Sequence, residues 1–313
     1  MDFSLKASPS DFVVEEVPLS PFDGRGEHLV LFVEKVGVST LDVVLALSRF
    51  LGIPEKAVGY AGMKDSCAVA YQYISVPRCH ISKVMSFRME GVRVLDVFRH
   101  SRKLRVGQLA GNRFRIRLRN VKGMGELLAR LERVKREGFP NFYHGQRFSG
   151  RNLELGLSLL AGKRVKASPY KRRLYVSAVS AWVFNMYLEE RIKRVPFPEP
   201  LEGDLVLDGD YWTPLRFFQG ETPIPTGPVP GYRMPLPEGK ALELEREVLK
   251  KAGVELDAFR PFGAKGTRRP IVVFPRELEV EREGEDIVVL SFFLPRGAYA
   301  TFMLDWIRSL QAP

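Results

Sequence analysis

Cysteine is nearly missing from this chain: two residues, Cys67 and Cys79, in 313. Their spacing is nowhere near a CxxC pair, and histidine occurs only at His28, His80, His100 and His144. That excludes a classical zinc site and a disulfide-stapled scaffold, so no metal is expected. Long apolar runs are also missing. No uncharged stretch reaches membrane-spanning length, and the N-terminus, MDFSLKASPSDF, carries an acid at position 2 and no apolar leader core. The expectation is a cytoplasmic protein with neither a signal nor a membrane helix. Acid is missing locally: residues 99–119 hold Arg99, Arg102, Lys103, Arg105, Arg113, Arg115, Arg117 and Arg119 without one Asp or Glu.

What is present describes a folded protein with an anionic partner. Hydrophobic content of 45% and charged content of 27% are ordinary for a globular chain, and the length favours two domains over one core. Lys and Arg number 48 against 37 Asp and Glu, a net charge of +11 that points to a polyanion such as nucleic acid or an anionic membrane surface.

Periodicity gives the elements. DFVVEEVP and EHLVLFVEKVG read as strands. STLDVVLALSRFLG switches to helical spacing, with Ser39 placed to cap and Asp42 three residues on. VRVLDVFRH is a strand, and NRFRIRLR alternates strictly: Asn112, Phe114, Ile116 and Leu118 share one face, Arg113, Arg115, Arg117 and Arg119 the other. GMGELLARLERVKREG is an amphipathic helix closed by Gly138 and Pro140. Helices are expected at about 151–162 and 176–193. Residues 196–237 then carry ten of the 22 prolines, too long a stretch for a simple connection and so a functional loop system or part of an inserted domain. A capped helix, EGKALELEREVLKKAG, the basic loop GAKGTRRP, and a final strand, turn and helix complete the chain.

The arginine stripe is where phosphate contact is expected, since four alternating arginines repel one another unless anions offset them. Lys163, Arg164, Lys166, Lys171, Arg172 and Arg173 make a second basic group, and two such groups on two domains suggest a cleft for a folded polynucleotide. The remaining question is GYAGMKDSCAVAYQY, which sets Asp65 in a turn beside Lys64. Asp next to Gly commonly satisfies a turn N–H. A carboxylate, with a reference pKa of about 3.9, is also a ready nucleophile at neutral pH without a metal, and Lys64 helps keep it ionised. The residues alone leave both open.

AGMKDSCAVAYQ resembles the GxKDxxAxTxQ signature of the TruD family of tRNA pseudouridine synthases. Five further blocks resemble the family in order: DFVVEE, RHSRKLRVGQLAGNRFRIRLR, GFPNFYHGQRFSGRNLELG, TGPVPGYRMPLPEG and FFLPRGAYAT. The resemblance implies an α+β fold. A pseudouridine-synthase catalytic domain with a mixed, largely antiparallel sheet would span 1–146 and 268–313, and a TruD-specific α/β domain would be inserted at 147–267. It implies Asp65 as the nucleophile that converts a tRNA uridine, at position thirteen in many members, to pseudouridine without cofactor, with tRNA as partner and no obligate protein partner. Phe12, Glu16 and Lys64 would help form the uridine pocket, Asn112 would hydrogen-bond the base, Phe114 would stack, and Tyr299 would stand where bacterial members have phenylalanine. Arg115, Arg117, Arg172 and Arg173 would contact the RNA backbone. Ala70 and Ser149 depart from the family pattern, at positions where Thr and Gly are common. A non-catalytic RNA-binding protein, or a hydrolytic glycosidase using Asp65 and Glu16, would be told apart by its products.

Overall fold

Local signals account for most of the elements in this computed structural model, which describes residues 1–64, 67–78, 81–148, 150–208, 211, 215–217 and 223–310. Alternating segments form β1 (Asp2–Ser4), β2 (Phe12–Pro18) and β3 (His28–Val36). The helical segment after them is α1 (Thr40–Leu51). Ser39 and Asp42 cap it reciprocally, at 3.2 Å for the Asp42 N–H to Ser39 Oγ, and Gly52 ends it in the left-handed region at φ 70°. Next come β4 (Gly59–Tyr60), β5 (Val69–Pro77), α2 (Ile81–Val84), β6 (Val92–His100), β7 (Leu109–Lys122) and α3 (Met124–Glu137). The chain continues through β8 (Phe139–Pro140), α4 (Asn152–Leu160), α5 (Pro169–Arg194), β9 (Leu205–Asp208), β10 (Arg216–Phe217) and β11 (Pro223–Val229). It closes with α6 (Gly239–Ala252), β12 (Thr267–Pro270), β13 (Val272–Val273), β14 (Arg276–Arg282), β15 (Val288–Pro295) and α7 (Ala300–Ser309).

The class is α+β. The chain divides into two units, one of residues 1–135, 275–300 and 310–313, the other of 136–274 and 301–309. The switches between units fall at 135/136, 274/275, 300/301 and 309/310. The reason is pairing: β8 runs antiparallel to β13, Phe139 opposite Val273, which ties the residues just outside the expected insertion to the second unit. Helix α5 starts at Pro169 rather than near 176, because Ser168 caps it by accepting from the Lys171 N–H and Pro169 suits the first turn. The proline-rich stretch supplies β9, β10 and β11 to a sheet ordered β10-β9-β11-β12.

The first unit is built on a sheet ordered β14-β15-β7-β2-β5-β3-β6, with β1 and β4 added to β7 and β5. Among the described residues only β2 and β5 run parallel, so the sheet is mixed and largely antiparallel. Its register lines up residues from distant parts of the chain. Lys35 faces Ala70, Ala70 faces Val14, Val14 faces Phe114 and Phe114 faces Phe292, one row across five strands. Two residues along, and therefore on the same face, lie Val33, Gln72, Glu16, Asn112 and Leu294. Where α1 covers this face, Leu29, Leu31, Val33, Ile74 and Val76 pack on Val43, Val44, Leu47 and Leu51 as a dry core.

Candidate active site

Three polar side chains meet on that face at the edge of the apolar core. Glu16 of β2 and Asn112 of β7 are cross-strand partners, and Lys64, which follows β4, reaches both. Its Nζ lies 3.3 Å from Glu16 Oε2 and donates to Asn112 Oδ1. The Glu16 side chain is 1% exposed and that of Lys64 6%, so neither charge is left to water. Burial pushes the Glu16 carboxyl above the usual carboxylate range and the Lys64 amine below its own, while the charge of each opposes the shift of the other. Gly62 is part of the construction: a Cβ there would come within 2.8 Å of Glu16 Oε2 and 3.3 Å of Lys64 Nζ.

Lysine is a donor only, so the atom of the Asn112 amide that faces it must be the oxygen. The Asn112 NH₂ is thereby turned away from Lys64, and it has no partner among the described residues. Nearby on the same strands, Phe12 meets Phe114 edge-on at 6.0 Å and Phe114 stacks on Phe292 at 5.4 Å. Phe12 and Phe114 are 6% and 9% exposed, and Lys6 Nζ stands 4.4 Å over the Phe12 ring. Tyr299 is half-buried in the turn between β15 and α7, just past the strand end that pairs with Gly111 and Asn112. Asp65 and Ser149 lie outside the described residues.

The backbone on both sides of Lys64 is held from below. Its N–H donates to Thr40 Oγ1 at 2.9 Å, the Thr40 hydroxyl donates to Gln72 Oε1 at 2.9 Å, and Lys35 Nζ donates to the Lys64 carbonyl at 3.1 Å and to that of Val38 at 2.7 Å. Sequence reasoning gave Lys35 and Thr40 no role. The signal was there: Leu29, Leu31, Val33 and Lys35 are in phase, so the lysine occupies the buried face of its strand.

The two basic groups differ. The β7 arginines do lie on the face opposite Asn112 and Phe114, but acids stand against them. Arg117 takes Glu283 through two bonds of 2.9 Å, Arg119 takes the buried Asp11 at 2.8 to 3.1 Å, Arg113 lies 3.5 Å from Glu277, and Arg115 lies 3.6 Å from Glu283. The guanidinium of Arg117 holds the Glu283 carboxyl below the usual range, and that of Arg119 does the same to Asp11. β14, the segment after it and Asp11 thus place anions beside the stripe, from parts of the sequence far from it. In the second unit, Lys163, Arg164, Lys166, Lys171, Arg172 and Arg173 are all exposed, and none pairs with an acid among the described residues. Arg164, Lys166, Arg172 and Arg173 line a hollow of about 1180 Å³ with Leu160 and Phe262 in its wall.

Among the described residues no cluster of three His, Cys, Asp or Glu could hold a metal ion, and no helix is long and apolar enough to cross a membrane.

A family model described as tRNA pseudouridine synthase D (TruD) matches residues 1–169 and 165–306. The chain is 33% identical to the tRNA pseudouridine synthase D of Wolinella succinogenes over 353 residues, covering 97% of this chain and 94% of that protein. To a Thermus thermophilus protein of the same name it is 36% identical over 324 residues, covering 98% and 89%. The crystal structure of the putative tRNA pseudouridine synthase D (TruD) from Methanosarcina mazei superposes with a TM-score of 0.72 over 98% of this chain and 93% of its own, at 22% identity. That likeness is one of fold.

Proposed function

Since this chain belongs to the TruD family and is a tRNA pseudouridine synthase, which isomerises uridine to pseudouridine, we propose that Asp65 is its nucleophile and that it works without a cofactor. The observation that supports this is the fixation of Lys64, the residue directly before Asp65, by Glu16 and Asn112 through its side chain and by Thr40 and Lys35 through its backbone. An aspartate carboxylate, with a reference pKa of about 3.9, is a ready nucleophile at neutral pH.

The reaction exchanges a bond from ribose to nitrogen for one from ribose to carbon. The Asp65 carboxylate forms a bond to the nucleoside, the N-glycosidic bond breaks, the uracil turns while held, C5 joins the ribose carbon, the bond to Asp65 is released, and the proton lost from C5 to solvent or a base is balanced by one taken up at N1. Electrons balance without an oxidant, reductant or water, so no cofactor or metal is called for. The uracil must be held during its turn. Asn112 offers its NH₂ to a carbonyl of the ring, and the Phe12–Phe114 pair with Tyr299 forms the aromatic border that a base out of its stack requires. Glu16 keeps Lys64 and Asn112 in register.

The tRNA backbone is gripped by Arg172, Arg173 and their neighbours around the second-unit hollow, where the cations from Lys163 to Arg173 meet no acid among the described residues and an apolar wall is within reach of a base. The uridine at position thirteen is the proposed target.

Asp65→Asn tests the nucleophile. The expected result is loss of pseudouridine formation in single turnover, with tRNA affinity within about 3-fold of wild type because the amide keeps the shape. Formation at near wild-type rate overturns the assignment, and release of free uracil by the wild-type protein would make it a hydrolase.

A further inference from the structure

A lysine buried in phase with leucine and valine is an expensive choice for a strand whose other buried positions are apolar. Lys35 is 0% exposed, and a leucine or methionine would fill the site without any polar group to satisfy. Its Nζ donates to the backbone carbonyl of Val38 in the turn before α1 and to that of Lys64. The Lys64 carbonyl belongs to the planar peptide unit through which the chain enters residue 65, so a donor fixed on that oxygen fixes the orientation of the unit. Thr40, 1% exposed, holds the preceding peptide unit through the Lys64 N–H, and its own hydroxyl is aimed by donating to Gln72, 0% exposed, in the row beside Glu16. Both peptide units flanking Lys64 are thus clamped by side chains that belong to β3, α1 and β5. A loop held only by its own turn hydrogen bonds would not need any of them.

We propose that Lys35, Thr40 and Gln72 are positioning residues for the reaction: they clamp the two peptide units around Lys64 and so aim the residue after it, without touching RNA. This rests on the assignment of Asp65 as nucleophile. The three are enclosed in the first unit beneath the Glu16–Lys64–Asn112 cluster, so their loss should leave the binding surface as it is and misplace the attacking group. Displacement of a reacting group by about 1 Å is enough to cost about 100-fold in rate.

The test compares Lys35→Met, which keeps the length and removes the donor, with Thr40→Val and Thr40→Ser, which remove and keep the hydroxyl. Single-turnover pseudouridine formation, tRNA Kd and melting temperature are measured on each full chain, with Asp65→Asn alongside. The expected result is a rate loss of about 30- to 100-fold for Lys35→Met and Thr40→Val with Kd within about 2-fold, and at least about 10-fold recovery in Thr40→Ser relative to Thr40→Val. The proposal is overturned if a folded Lys35→Met or Thr40→Val turns over at the wild-type rate. It is equally overturned if rate falls only in proportion to affinity, or if Thr40→Ser is as slow as Thr40→Val. Should Lys35→Met not fold, the threonine pair decides alone. An active Asp65→Asn would remove the nucleophile while leaving the clamp to be judged by the rate-against-Kd split, so the two ideas fail separately.

Discussion

Two arginine-rich segments of nearly equal basic character end in opposite electrostatic states. In β7 the arginines stand on one strand face and each meets a carboxylate, from Glu277, Glu283 or Asp11. Between Lys163 and Arg173 the cations surround a hollow and meet no acid among the described residues. Local sequence shows the same thing in both cases, a run of Lys and Arg without Asp or Glu. The difference comes from the third dimension: a strand is flanked by other strands, and β15 brings with it the acidic hairpin partner β14, whereas a helix N-terminus with a connecting loop is left facing solvent. A count of basic residues therefore measures the supply of charge, and only pairing shows how much of it is free to meet phosphate.

The strongest way to break this comparison is to remove the unpaired cations. Arg164→Ala with Arg172→Ala and Arg173→Ala should weaken tRNA binding by about 100-fold at moderate salt and lower the slope of log affinity against log salt by about 2 to 3. Binding titrations at four salt concentrations read both, and an unchanged slope would take the hollow off the RNA. Arg119→Ala should do the reverse, leaving Kd within about 2-fold while lowering the melting temperature by about 4 °C, because the buried Asp11 loses its partner. Its pH dependence is distinctive. Arg119 holds the Asp11 carboxyl below its ordinary 3.8, so the pair's contribution is present above that pH and is lost as pH falls through the lowered value. Melting curves of wild type and variant should separate at neutral pH and converge on acidification; a constant gap would give the stability to some other contact. The smallest effect should come from Glu283→Gln, which takes the nearest acid from Arg115 and Arg117 while Glu281 and Asp11 stay 3.9 Å from them, and raises tRNA affinity at low salt by about 2-fold. If affinity rises tenfold or more, the β7 face does lie on the RNA.

Much of the fold could be seen in the sequence because its signals are local. The Ser39–Asp42 cap, the alternation of β7 and the glycine after α1 act within a few residues and decide their elements directly. What could not be read is long-range. The acids opposite the β7 stripe are more than 150 positions away along the chain in three of the four pairs, and nothing in the stripe announces them. Of the polar cluster, Glu16, Lys64 and Asn112 were singled out through a family resemblance, yet their contact depends on the cross-strand register of β2 and β7 and on the close approach allowed by Gly62. Lys35 is the opposite case: its phase in β3 is plain, but its acceptors, two loop carbonyls, have no sequence signature at all.

The pairing of β15 with β7 also sets a timetable for synthesis. Val288 to Pro295 lie against Gly111 to Leu118, and residues 136–274 of the second unit are translated between them. At about 5–20 residues per second, β7 waits on the order of ten seconds with one edge open before its partner leaves the ribosome. An open edge is a template for pairing with other chains, and charge is what natural proteins place there to prevent it. During that interval the arginines of β7 have not yet met Glu277 or Glu283, so the nascent strand carries unneutralised like charges that repel a second copy of itself. The same side chains that are quiet ion pairs in the finished sheet thus act earlier as guards of an unfinished one.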